Sequence, residues 1–94
     1  MEESIFLEIV FKSSDFQFAG RDEIEDPLEE ALIQSGVGEV TGGGSGMGFS
    51  NIDVEVKDFD IGLKIIRNVL QSLKVSKTTI IKQYKPIKQD LSVY

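Results

Sequence analysis

The sequence predicts an α+β domain of β-α-β-β-α-β order, a four-stranded antiparallel sheet with two helices on one face. Three observations lead there. Two segments, near residues 23–35 and 58–74, repeat apolar residues at helical spacing. Segments near 4–12, 49–57 and 78–84 carry the period-two alternation or the β-branched residues of strands. Between the first helix and the 49–57 strand lies a glycine run, the mark of tight turning or close backbone approach.

Ser4 to Lys12 reads as the first strand. Ile5, Leu7, Ile9 and Phe11 form one face, and Phe6 and Val10 make the other partly apolar, which predicts a central position. A polar connection, Ser13 to Gly20, follows. The first helix carries Ile24, Leu28, Ala31 and Leu32 on one stripe, and acids crowd its first half, where the helix dipole favours them. Pro27 belongs in a first turn, so the regular helix is expected to start between Glu23 and Asp26, and Gly36 to end it.

Seven of the nine glycines fall in the 13 residues Gly36 to Gly48. Val37 to Thr41 is a short strand candidate leading into them. In Phe49 to Lys57, Ile52, Val54 and Val56 point one way and Asn51, Asp53, Glu55 and Lys57 the other, which places the glycines in a hairpin. Asp58 or Asp60 caps the second helix, whose buried stripe is Leu63, Ile66, Leu70 and Leu73. Thr78 to Tyr84 is the last strand, ended by Pro86. The 94 residues make one domain with a core of about 4–85, and residues 86–94 form a tail without an assignable element. The order is the ferredoxin-like one.

The chemistry is narrow. The chain has no histidine and no cysteine, which removes the commonest general base, the thiolate nucleophile and the usual zinc ligands. Asp58-Phe59-Asp60-Ile61-Gly62 fails as a calcium loop, because its glycine comes fifth and Val69 stands where a bidentate Glu is needed. Gly43 to Ser50 has the spacing of a phosphate loop, but Phe49 replaces its lysine and a strand follows instead of a helix. Asp53 and Glu55 share a strand face that reads as solvated. The expectation is a protein with no cofactor, no metal and no catalysis. No targeting segment or membrane span is visible, since the apolar run ending at Phe11 is too short. A cytoplasmic setting follows.

Residues 1–60 hold fifteen acids against Lys12, Arg21 and Lys57; residues 61–94 hold seven bases against Asp90. Such asymmetry marks an interaction surface if the two halves are also separated in space.

Two resemblances bear on function. Ile5-Phe6-Leu7-Glu8-Ile9-Val10 resembles the shorter signature of RNA-recognition-motif domains, and Met47 to Val54 partly resembles their octapeptide. The resemblance implies an open-sheet face with Phe6 and Phe49 as stacking aromatics beside Val10 and Asn51. Met47 in place of a base and the acids Asp53 and Glu55 disfavour nucleic acid. The acidic first helix, the Gly-Glu-Val-Thr-Gly-Gly-Gly-Ser-Gly-Met-Gly segment and the second amphipathic helix together resemble small stand-alone bacterial proteins, some of which are immunity proteins that neutralise toxins. That resemblance implies a stoichiometric inhibitor of a basic toxin.

The reading is therefore a protein-binding module. Glu25, Asp26, Glu29 and Glu30 on an exposed helix face supply charge, and the hairpin residues Gly44, Gly46, Met47 and Phe49 supply close approach and apolar anchors. The alternatives are a nucleic-acid binder and a small-ligand sensor built on the same fold. A homodimer through Phe6 and Val10 is compatible with all three.

Overall fold

A computed structural model describes residues 4–94. Five strands and two main helices follow one another: β1 (Ile5–Lys12), α1 (Asp22–Ser35), β2 (Gly38–Gly46), β3 (Phe49–Val56), α2 (Phe59–Ser72), β4 (Ile80–Gln83) and β5 (Gln89–Ser92). A single 3₁₀ turn, Ser13–Asp15, leaves the end of β1. The sheet is antiparallel throughout, in the order β2-β3-β1-β4-β5. The α+β class and the two helices agree with the sequence.

The strand count does not. A fifth strand, β5, pairs with β4 from Ile80 opposite Ser92 to Gln83 opposite Gln89. The segment read as an unassigned tail is thus part of the sheet. Its hold is tertiary. Arg67 Nε and Gln71 Nε2 on α2 donate to the carbonyls of Ser92 and Val93 at 2.9 and 2.7 Å, and Tyr94 Oη donates to Val75 O at 2.7 Å. Val93 is buried.

β1 sits between β3 and β4, which explains its two apolar faces. Leu7, Ile9 and Phe11 enter the core with Ile52, Val54 and Val56 of β3 and Ile81 of β4. Ile24, Leu28 and Leu32 of α1 and Leu63, Ile66 and Leu70 of α2 complete it, while Leu73 is only half-buried. The polar parity of β1 and β3 therefore lines a sheet face without helices.

Helix α1 starts at Asp22, before the start expected from Pro27, which lies in its second turn. The first turn forms around Arg21, whose carbonyl accepts from Ile24 N and Glu25 N at 2.9 and 2.8 Å. Glu23 Oε2 reaches back to Ala19 N at 2.9 Å, so an acid side chain serves an amide ahead of the helix. Gly36 closes the helix at φ 70°, donating to Ile33 and Leu32 carbonyls. Asp58 caps α2, its Oδ1 accepting from Ile61 N at 2.9 Å.

The strand β2 runs through the glycines instead of stopping at Thr41. Glycine has poor strand propensity, so β3 supplies the order by pairing along the whole length from Gly38 opposite Val56 to Gly46 opposite Phe49.

Candidate functional site

The hairpin tip is the first element of the site. Gly46 pairs with Phe49, leaving Met47 and Gly48 as a two-residue loop at φ 52° and 82°. Both central residues at positive φ define a type I′ turn, which favours Asn-Gly or Gly-Gly. Here the first position is methionine, 98% exposed. A large apolar side chain in the left-handed region costs about 1–2 kcal/mol of backbone energy. Its exposure returns no burial. The tip is nevertheless well placed, because Ser13 N donates to Gly48 O at 2.9 Å and ties it to the turn after β1.

The glycines behind the tip serve two purposes. A Cβ on Gly43 would lie 2.6 Å from Asn51 O, 2.8 Å from Arg21 Nη1 and 3.2 Å from Glu25 Oε2, so the start of α1 closes directly over β2. A Cβ on Gly44 would meet only Asn51 Oδ1 at 3.5 Å, ordinary contact. The fold requires glycine at 43 for space and does not require it at 44.

Helix α1 divides the four expected acids. Asp26 and Glu30 are exposed, and Glu30 accepts from Gln34 Nε2 at 3.2 Å. Glu25 and Glu29 are half-buried on the adjoining flank, with Glu25 turned toward β2 beside Gly43. The four do not share one open face, because successive residues lie about 100° apart around a helix. The pairs one turn apart occupy neighbouring flanks. Since α1 runs antiparallel to β2 and packs on it, its first turns stand at the hairpin-tip end. The structure thus brings Glu25, Gly44, Gly46 and Met47 to one end of the molecule, with Asp26 on the outer side.

Phe49 is half-exposed and points to the uncovered sheet face, opposite Lys12. Phe6, Val10 and Asn51 also lie on that face. Phe6 is opposite Glu55, six residues along β1 from the level of Phe49, or roughly 20 Å at strand rise. The two phenylalanines do not form a common stacking platform. Phe6 instead stacks on Tyr84, ring centroids 6.2 Å apart. Asn51 Nδ2 is engaged by Asp53 Oδ1 at 2.8 Å.

The alternation of β1 already places Glu8 on this face, without a role, whereas sequence reasoning missed Glu39 and Tyr84. Glu8 stands opposite Asp53, and Glu39 opposite Glu55. Like charges directly opposite are unfavourable in a sheet. Lys82 of β4 faces Glu8 from the other side, and Tyr84 Oη donates to Glu8 Oε1 at 2.5 Å. That hydrogen bond, then burial and the surrounding carboxylates, push the Tyr84 phenol up from 10.0 to about 12. The parity of Glu39 was legible only once its register with β3 was known.

Among the described residues no three carboxylates cluster closely enough to hold a metal ion. A depression of about 160 Å³, lined by Ser4, Gly38, Glu39, Glu55 and Lys57, lies at the end of the hairpin far from the tip. It is smaller than the roughly 300 Å³ at which small-molecule pockets begin. Among the described residues no helix is long and apolar enough to cross a membrane.

Comparison of the chain with models of known protein families, with curated proteins and with solved structures finds no significant match. The functional reading therefore rests on the geometry.

Proposed function

We propose that the chain is a non-catalytic module that binds another, basic protein, and that it acts as an immunity-type stoichiometric inhibitor in the cytoplasm. We read strands β2-β3-β1-β4 as the ferredoxin-like arrangement, with β5 added on the outside of β4.

The observation that carries the proposal is where the charge lies. The sheet order puts acid-bearing β2 and β3 on one side of β1 and β4 and β5 on the other. Helix α1 packs over β2, while α2 is tied to β5 through Arg67 and Gln71. The acids of α1, β2 and β3 therefore lie on one side of β1, and Lys64, Arg67, Lys82, Lys85 and Lys88 belong to the other, while Glu8 faces Lys82, Asp15 accepts from Thr78 and Asp58 caps α2, outside the acidic side. Met47 projects from the acidic side. An exposed apolar anchor on the side that carries the acids of α1 suits a partner of opposite charge, because the field steers encounter and the anchor holds the complex.

The product of the adjacent reading frame is the partner to assay. Expected is a one-to-one complex whose association rate falls steeply with salt. Reversal of Asp26 and Glu30 to lysine slows association about tenfold or more, in the range of electrostatic steering. Absence of a complex, or an association rate indifferent to both salt and charge reversal, overturns the reading.

A further inference from the structure

Among the described residues strand β2 is an outer edge of the sheet, with β3 as its only neighbour. An edge exposes unpaired N–H and C=O groups, and proteins usually blunt it with lysine, proline, bulges or inward charge. Here the protection is confined to one half. Val40 to Gly42 contains a register shift, and Glu39 is the sole charged residue of the strand. From Gly42 to Gly46 the register with β3 is regular, and Ser45 carries the only side chain.

The backbone directions follow from the turn. A two-residue loop makes Gly46 and Phe49 a hydrogen-bonded pair. In the antiparallel alternation Gly44 and Gly42 then bond to β3, while the N–H and C=O of Gly43 and Ser45 point away from the sheet. Among the described residues these outward groups have no backbone partner. Carboxylates flank them on both faces. Glu25 Oε2 lies 3.2 Å from the Cβ position of Gly43 on the helix side, beside the Arg21 guanidinium, and Asp53 Oδ2 lies 3.5 Å from that of Gly42 on the open side.

We propose that the Gly42–Gly46 edge receives an extended basic segment of another protein as an added antiparallel strand. This deepens the reading of a basic protein partner and rests on it. Main-chain bonds to an edge give affinity, and alternate side chains give specificity. Successive residues of the added strand point to opposite faces. On the helix face they meet Glu25 beside the Arg21 guanidinium and on the open face Asp53, so it is the open face that favours lysine or arginine. A second copy of this chain pairing through its own β2 brings the same acids together and is disfavoured. The absence of a side chain at Gly44, which the fold does not require, keeps the open flank of the edge bare.

The test is selection of a display library of random ten-residue peptides on the intact protein, followed by synthesis of an enriched peptide. Expected are sequences rich in lysine and arginine without central proline, whose binding protects the Gly43 and Ser45 amides from hydrogen exchange. Ser45→Pro removes an outward N–H that makes no bond to β3, and weakens the peptide about tenfold, the loss of one hydrogen bond. The spectrum of the β3 amides reports whether that variant keeps its fold; if it does not, exchange protection in the unmodified protein decides. Basic peptides that bind without protecting β2 overturn the edge proposal and leave the basic-partner reading standing. Enrichment of no basic peptide overturns both. Concentration-dependent self-association that protects the same amides assigns the edge to a second copy and overturns the proposal.

Discussion

Tyr84 Oη donates to Glu8 Oε1 across the uncovered sheet face at 2.5 Å, joining the end of β4 to the middle of β1. Phenolate formation breaks this bond and sets a negative charge beside a carboxylate. The phenol is held up, at about 12 against 10.0. The folded state thus binds the proton more tightly than the unfolded chain. The stabilisation is fully present below pH 10 and is lost as pH rises through about 12. Ultraviolet titration of the protein minus that of Tyr84→Phe isolates the group. A difference curve with its midpoint at the ordinary tyrosine value contradicts the hydrogen bond.

The glycines of β2 separate by substitution. Gly43→Ala places a methyl 2.6 Å from the Asn51 carbonyl oxygen, a backbone atom that moves only with β3. A loss of about 1–3 kcal/mol is expected, the usual cost of forcing atoms into filled space. Gly44→Ala meets only a side-chain oxygen at ordinary distance. It is expected to change stability by less than about 0.5 kcal/mol, or to raise it slightly through reduced freedom of the unfolded chain. Urea unfolding of the two variants side by side checks both. Equal losses show that the glycines act through propensity alone and that α1 does not close over Gly43.

The legibility of the chain follows the same physics. Helix α2 was readable because Leu63, Ile66 and Leu70 repeat at helical spacing behind an aspartate cap, all local signals. β1 was readable as central because Phe6 and Val10 add apolar surface to its second face. β2 was only half readable. Gly42, Gly43 and Gly44 carry no alternation, and their extended form comes from β3, a partner the local sequence does not name. Within the site, the spacing of Glu25, Asp26, Glu29 and Glu30 shows that they sit on a helix. It does not show which flank faces β2, because that depends on how α1 rests on the sheet. Met47 was readable as exposed, but its left-handed backbone required the two-residue loop.

Asp58 gives a direct measure of a local signal. Its Oδ1 accepts from Ile61 N at the start of α2, and its own backbone is extended, as an N-cap requires. Asp58→Ala leaves that amide without its partner and is expected to cost about 1 kcal/mol. Asp58→Asn keeps the acceptor and should restore most of the loss. Denaturant midpoints of the pair decide between a cap and a surface charge. If Asn is no better than Ala, the contribution is charge at the helix terminus instead of the hydrogen bond.

The C-terminal residues carry the sharpest disagreement between sequence and structure, and truncation resolves it. A loose tail tolerates removal at a cost under about 0.5 kcal/mol. The structure gives residues 89–94 a different role. β5 covers the edge of β4, Arg67 and Gln71 spend their hydrogen bonds on its last carbonyls, and Val93 is buried. Val93→Ala alone should cost roughly 2 kcal/mol, from lost burial and the cavity left behind. Ending the chain after Lys88 should cost more, since it exposes the β4 edge and leaves Ile81 less covered. Thermal and urea unfolding of both forms measure this. The same truncation leaves the Gly42–Gly46 edge and the acidic flank of α1 untouched, because they lie on the far side of β1. Partner association by the truncated chain, measured below its unfolding transition, should therefore keep its rate. Loss of association without loss of fold relocates the binding surface to the β5 side.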